Sequence, residues 1–185
     1  MAIRLLWAPL AVALCCCALA AHAGDAFRLD SATVSAGATL STTQIYDGLG
    51  CTGRNISPAL RWSGAPSGTR SFAVTVFDPD APGSGWWHWL VFDIPASVTK
   101  LDEGAGSAGG RLPPGSIQAT NDFGTSGYGG PCPPPGDKPH RYVFTVYALR
   151  TDSIEAAAAS TPARIERVLN ANALAKASFT ALYAR

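Results

Sequence analysis

The sequence predicts a mainly β protein, two antiparallel sheets in a sandwich with small peripheral helices. Three observations carry that expectation. Residues 71–78 (SFAVTVFD), 88–94 (HWLVFDI) and 141–149 (RYVFTVYAL) are β-branched, aromatic and mostly apolar, the composition of buried strands. The stretches between them are rich in glycine and proline, which suit turns and loops. Helix signals appear only after residue 150. Strands followed by a late helix describe an antiparallel sandwich with an appendage rather than an alternating βα fold.

In chain order, residues 27–34 (FRLDSATV) are expected to form a first strand, and residues 38–58 a polar loop ending in NISP. Residues 59–63 (ALRWS) alternate in part, and GAPSGT is a turn cluster. The run at 71–78 is nearly all apolar, so both its faces should be covered. Residues 102–115 read as loop and 116–122 (SIQATND) as a short strand. Residues 123–139 contain five glycines and five prolines, which excludes helix and central strand. Beyond them, Asp152 or Ser153 is placed to cap a helix through IEAAAAS, and Thr161 to cap a second with Pro162 at its first position. Ile165, Val168 and Leu169 share one face of that second helix, and 177–184 (ASFTALYA) alternates as a strand returning to the sheet. Nothing repeats at a fixed period and no linker divides the chain.

Residues 1–23 have the order of a secretory signal: Arg4, an apolar run from Leu5 to Leu19, then Ala21-His22-Ala23 as a small-x-small cleavage site. The apolar run is short for a membrane span. Leu14, Cys15 and Cys16 precede the three leader cysteines, a poor match to a lipoprotein signal. Cleavage leaves one domain, 24–185, with thirteen basic and thirteen acidic side chains. That balance gives no electrostatic footprint for nucleic acid or an anionic membrane surface. Two cysteines remain, Cys51 and Cys132, an even count in a compartment that permits disulfides, with two buried free thiols as the alternative.

The chemistry is concentrated in FDPDAPGSGWWHWLVFDIP, where Asp78, Asp80 and His88 stand among Trp86, Trp87 and Trp89. An apolar strand ending in Asp-x-Asp has the form of a phosphatase nucleophile loop, but Pro82 and the lack of early helices do not fit that fold. Asp-Pro-Asp-Ala-Pro is also good turn chemistry, with aspartates accepting backbone N–H bonds. His88, His140, Asp78 and Asp80 supply the residue types of a metal site, yet no short ligand spacing occurs, so no metal or cofactor is expected. Ser126 is not in a nucleophile elbow, and Cys132 is better used in a disulfide, so no catalytic residue is assigned. The loop 127–136 (GYGGPCPPPG) offers successive glycines whose N–H groups can converge on an anion, a nest stiffened by prolines.

Taken together, SPALRW, DPDAP, WWHW and GYGGPCPPPG followed by HRYVFTVYAL strongly resemble the phosphatidylethanolamine-binding proteins, and within them the exported bacterial Raf-kinase-inhibitor-like branch. The likeness runs from about Phe27 to the C-terminus. It implies a two-sheet fold with peripheral helices and a pocket for phosphate-like or carboxylate anions and phospholipid head groups. Carried onto this chain, the pocket is lined by Asp78, Asp80, His88, His140 and Tyr142, with Trp86 and Tyr128 at its wall and Gly129, Gly130 and Pro131 bringing the glycine loop to the anion. Exported relatives carry cysteines in the same two loops, which supports a Cys51–Cys132 bridge. Eukaryotic relatives have a C-terminal gating helix, whereas this sequence ends in SFTALYAR, implying a more open mouth.

The function expected is non-catalytic binding of a small anionic or zwitterionic ligand: phosphate, phosphoethanolamine or a carboxylate. On this reading the glycine N–H groups and one imidazolium hold the anion, while one aspartate orients a histidine and the other meets a ligand amine. The competing readings are a secreted protease inhibitor or partner-modulating protein, and a hydrolase with an Asp–His base. A protein partner and a homodimer stay open.

Overall fold

The computed structural model describes residues 26–156 and 158–185, so the expected leader over 1–23 lies outside the described residues. The described chain runs β1 (Arg28–Asp30), β2 (Asp47–Gly48), β3 (Cys51–Thr52), β4 (Leu60–Ser63), β5 (Ser71–Asp78), β6 (Trp86–Pro95), β7 (Lys100–Leu101), β8 (Ile117–Gln118), β9 (His140–Leu149), α1 (Pro162–Asn172) and β10 (Ala173–Tyr183). A five-stranded sheet has the order β10-β9-β5-β6-β8, a three-stranded sheet β1-β4-β7, and β2 and β3 form a small ribbon. The strands within each sheet pair antiparallel. No described helix is long and apolar enough to cross a membrane.

β5 sits at the centre of the larger sheet, and the reason is its composition. Ser71 to Val76 are all buried, with Ala73 and Val74 fully inaccessible. One face packs Val74 and Val76 with Trp89, Val91, Phe144 and Val146 onto Leu29, Leu60, Trp62 and Leu101 of the smaller sheet. The other face packs Ala73 with Leu90, Phe92, Tyr147 and Leu149 against Ile165 and Leu169 of α1. Each fully buried side chain of this kind stabilises the fold by about 1.5–3 kcal/mol relative to exposure.

Helix α1 begins as the sequence predicts, with Thr161 as N-cap accepting from the Arg164 N–H and Pro162 opening the first turn. The helix expected through IEAAAAS is not formed: the described residues of 153–160 run as bends and turns. The Ile154 N–H donates to Asp93 Oδ1 at 2.9 Å, and the Ala158 carbonyl accepts from Thr120. These outside partners take backbone groups that a helix needs for its own ladder. The first strand is shorter than expected, because Ser31 Oγ accepts from the Thr33 and Val34 N–H groups and turns the chain.

Candidate functional site

The site forms at one end of the larger sheet, where β5 stops, β6 starts and β9 starts. In β9, His140 and Tyr142 are two residues apart and share a face, the one that continues into Phe144 and Val146 of the inter-sheet core. In β6, Val76 pairs with Trp89 while Phe77 pairs with Trp87, leaving His88 as the extra residue of a bulge. The bulge puts Trp87 on the helix side of the sheet and Trp89 on the inter-sheet side. Bulges re-aim side chains in this way at sheet ends. Here it delivers His88 to the ring of Tyr142, with centroids 5.1 Å apart.

Asp78 ends β5 and is 3% exposed. Its Oδ1 accepts from the N–H groups of Asp80 and Ala81 at 2.8 and 3.2 Å, which folds the Asp-Pro-Asp-Ala-Pro turn. Its Oδ2 lies 2.8 Å from His140 Nδ1, the nitrogen that donates to it. The other nitrogen of His140, Nε2, faces Asp137 Oδ2 at 3.4 Å. His88 is buried, and its Nδ1 donates to the Gly129 carbonyl at 2.7 Å, which leaves Nε2 with a lone pair. Burial holds the His88 pKa below the ordinary imidazole range, against the opposing pull of the Gly129 carbonyl and the Asp78 charge.

These groups enclose a small pocket of roughly 160 Å³. Asp78, His88, His140 and Tyr142 line its buried end, and Trp86 and Phe123 form aromatic walls. Its rim is Leu49, Ala81, Pro82 and the Cys132-Pro133-Pro134 stretch. Leu49 is 72% exposed in a left-handed backbone conformation at this rim. Cys132 is joined to Cys51, which anchors the proline loop to the β2–β3 ribbon. The volume is below that of sites for drug-sized molecules.

Five of the residues expected to line a site are therefore gathered here: Asp78, Trp86, His88, His140 and Tyr142. Asp80 is turned elsewhere: Arg141 holds it through Nε and Nη2, each at 2.9 Å, and through its backbone N–H. The Arg141 guanidinium brings the Asp80 pKa down to about 2. Tyr128, Gly129, Gly130 and Pro131 form the support behind the pocket. The Tyr128 hydroxyl donates to the Gln44 carbonyl, and the Pro131 carbonyl accepts from Tyr46.

The anion nest expected from the glycine loop is not formed by Gly129 and Gly130. The Gly129 N–H donates to the His88 carbonyl at 2.8 Å and the Gly130 N–H to Asn55 Oδ1 at 2.7 Å. Glycine is needed at both for close approach: a Cβ on Gly129 would lie 2.5 Å from the Phe123 ring, and one on Gly130 would lie 2.1 Å from the Gln44 carbonyl oxygen. The glycines thus fix His88 from behind. Phe123 is a pocket-lining residue that sequence reasoning missed, and Asp137 stands behind His140 at its Nε2. Among the described residues no group of three His, Cys, Asp or Glu side chains is arranged to hold a metal ion.

Comparison with known proteins agrees with this geometry. A family model described as phosphatidylethanolamine-binding protein matches residues 30–184. The chain is 52% identical over 160 residues to the UPF0098 protein YbcL of Escherichia coli, covering 85% of this chain and 87% of that one. It is 43% identical to the UPF0098 protein YbhB of the same organism over 157 residues, covering 84% of this chain and 99% of that one. The crystal structure of YbcL superposes with a TM-score of 0.84 at 51% identity, covering 86% of this chain and 98% of that one. That structure is described as a member of the mammalian family of the same name. A homologue from Chlamydia trachomatis, CT736, superposes with a TM-score of 0.71 at 29% identity, covering 86% and 97% of the two chains. With sheet order, family model and bacterial relatives in agreement, the chain belongs to the phosphatidylethanolamine-binding protein family, in its bacterial branch.

Proposed function

We propose that this protein is an exported, non-catalytic binder of a small ligand whose anionic oxygens enter the pocket at Trp86, His88 and Tyr142. At the coarser level of its family the chain is a ligand-binding protein. The observation that carries the finer reading is a pair of unsatisfied polar atoms. Trp86 Nε1 and the Tyr142 hydroxyl are buried without a hydrogen-bond partner, two of five such side-chain atoms among the described residues, and both belong to pocket-lining residues. An indole N–H can only donate. A buried donor without an acceptor costs about 1–3 kcal/mol, which a ligand oxygen removes. Burial and the nearby Asp78 charge raise the Tyr142 pKa, so its hydroxyl stays a donor at neutral pH.

No lysine or arginine lines this pocket. The ligand's charge is met instead by a proton taken up at His88 Nε2, in a pocket whose buried aromatic lining lowers the local dielectric and strengthens each polar contact. His140 is oriented by Asp78 and completes the buried end. Export is supported by the leader-like order of residues 1–23 and by the Cys51–Cys132 disulfide, a bond favoured outside the cytosol.

The test is calorimetric titration of the protein beginning at Gly24 with phosphoethanolamine and with inorganic phosphate, alongside His88→Ala and His140→Ala. Saturable binding that both substitutions abolish in folded protein is the expected result. The absence of heat with either compound would overturn the reading.

A further inference from the structure

We propose that the groove between helix α1 and the segment after β9 is a second binding site, one that takes a small dicarboxylate across Arg164 and Arg167. It is separate from the pocket at His88 and does not rest on the reading of that pocket.

The groove lies at the far end of β9. His140 and Tyr142, at the start of that strand, line the pocket, whereas Thr151 follows its last residue, Leu149, and lines the groove. A strand of ten residues spans about 30 Å, and the two sites share no residue. On α1 the lining residues Arg164, Arg167, Val168 and Ala171 recur every three or four positions, which makes one stripe along the helix. The facing segment is held at three points. Ser71 Oγ donates to the Thr151 carbonyl at 2.6 Å, the Ile154 N–H donates to Asp93 Oδ1 at 2.9 Å, and the Arg150 N–H donates to the Asn172 carbonyl at 3.1 Å. The groove encloses roughly 550 Å³, within the range of small-molecule sites, and a cleft built on fixed walls loses little entropy on binding.

Two observations point to an anionic occupant. The first is the Thr151 hydroxyl, which is buried without a hydrogen-bond partner although the Thr151 carbonyl has one. A hydroxyl in that position can donate to a ligand oxygen. The second is charge without a partner. Among the described residues Arg164 and Arg167 form no ion pair, and Asp152, the acid next to Thr151, is taken by Arg70. Glu155 is the one acid in the groove lining, against two guanidiniums. The balance of the lining is cationic.

The spacing of the arginines selects the ligand. Residues at i and i+3 of a helix have Cβ atoms about 5–6 Å apart, so two planar forks stand one turn apart. Each fork matches one carboxylate through paired N–H bonds. A diacid with a short carbon chain uses both, and that chain rests on Val168 and Ala171. A single carboxylate uses one fork only.

The experiment follows backbone amide shifts by NMR in the protein beginning at Gly24, titrated with succinate, with acetate and with inorganic phosphate. Thermal unfolding confirms that each variant is folded. Succinate is expected to move the Thr151, Arg164 and Arg167 amides saturably, and acetate to bind there about twofold to fivefold more weakly, the range of one exposed ion pair. Phosphate is expected to bind more weakly than succinate at the same amides. Arg164→Gln and Arg167→Gln should each reduce succinate to the level of acetate, and together they should abolish the shifts. Glu155→Gln should tighten succinate. Thr151→Val should weaken it without lowering the unfolding midpoint, which a merely structural hydroxyl would lower. The amides of His88 and Tyr142 report the other pocket, so its failure to bind leaves these outcomes unchanged. Groove amides that succinate does not move, or that move with unchanged affinity in the double arginine variant, overturn the proposal, as does weaker succinate binding in Glu155→Gln.

Discussion

Asp78 and His140 meet at 2.8 Å with side chains that are 4% and 3% exposed, joining the end of β5 to the start of β9. The same carboxylate folds the turn that carries Ala81 and Pro82 to the pocket rim. One side chain thus closes the sheet end, orients a site histidine and shapes the pocket mouth.

Removing that carboxylate should be expensive. Asp78→Ala leaves a buried imidazole without its acceptor and frees two turn N–H groups. Each buried polar group left without its partner costs about 1–3 kcal/mol. Urea unfolding of wild type and variant measures it, and a loss under about 1 kcal/mol would mean that the turn relaxes to solvate both sides. Asp78→Asn keeps the turn acceptor while presenting an amide donor to His140, so it should recover part of the stability and lose ligand binding.

The disulfide makes a separate contribution. Cys51 and Cys132 are 81 residues apart, and closing a loop of that length stabilises the fold by about 4 kcal/mol on the chain-entropy model. Cys51→Ser with Cys132→Ser should lower the unfolding free energy by about that amount. Because Cys132 also lines the pocket, phosphate affinity should fall in the folded double variant. Equal denaturation midpoints with and without a reductant would refute the stability argument.

Much of this architecture was legible in the sequence where burial is two-sided. β5 has the bounds that its sequence predicts because a strand covered on both faces is apolar at nearly every position. The strands β2, β3 and β7 have two residues each and leave no periodicity to read. The alanine-rich run after Ser153 has high helix propensity, yet Asp93 takes the Ile154 N–H, a tertiary contact that propensity cannot register. The site divides in the same way. Asp78, Trp86, His88, His140 and Tyr142 stand in recognisable motifs beside strong strands. The sequence does not reveal that the Gly129 and Gly130 N–H groups are taken by the His88 carbonyl and Asn55, so the anion nest it suggests does not form there. Asp137 and Phe123 lie in the loop over 123–139, whose path is set by non-local contacts.

Acid should separate the two aspartates of the turn. Arg141 lowers the Asp80 pKa from 3.8 to about 2. A carboxylate with a depressed native pKa contributes stability that is present above its unfolded value and lost as pH falls through the native one. The contribution is small because the Arg141 side chain is 57% exposed and salt screens the pair. Asp80→Asn should remove one component of the stability loss between pH 4 and pH 2, leaving neutral-pH phosphate binding intact. A variant that loses phosphate binding while staying folded would return Asp80 to the pocket.

His88 should titrate in opposite senses for folding and for ligand. Burial lowers its native pKa below 6.5. Between those two values the unfolded chain binds a proton and the empty native site does not. Stability therefore falls as pH drops through 6.5, by up to about 1.4 kcal/mol per pH unit from this group, and levels off below the native value. Above 6.5 the group contributes no slope. An anion at Nε2 reverses the preference, because it interacts favourably with the imidazolium. Phosphate affinity should rise as pH falls from 8 to 5.5, and binding near pH 7 should take up protons, read as a dependence of the calorimetric heat on the ionisation enthalpy of the buffer. His88→Gln should reduce the acid slope of stability and make any remaining phosphate affinity nearly independent of pH. Equal wild-type affinity at pH 5.5 and pH 8 would assign anion recognition to the Trp86 and Tyr142 donors alone and remove the imidazolium from the site.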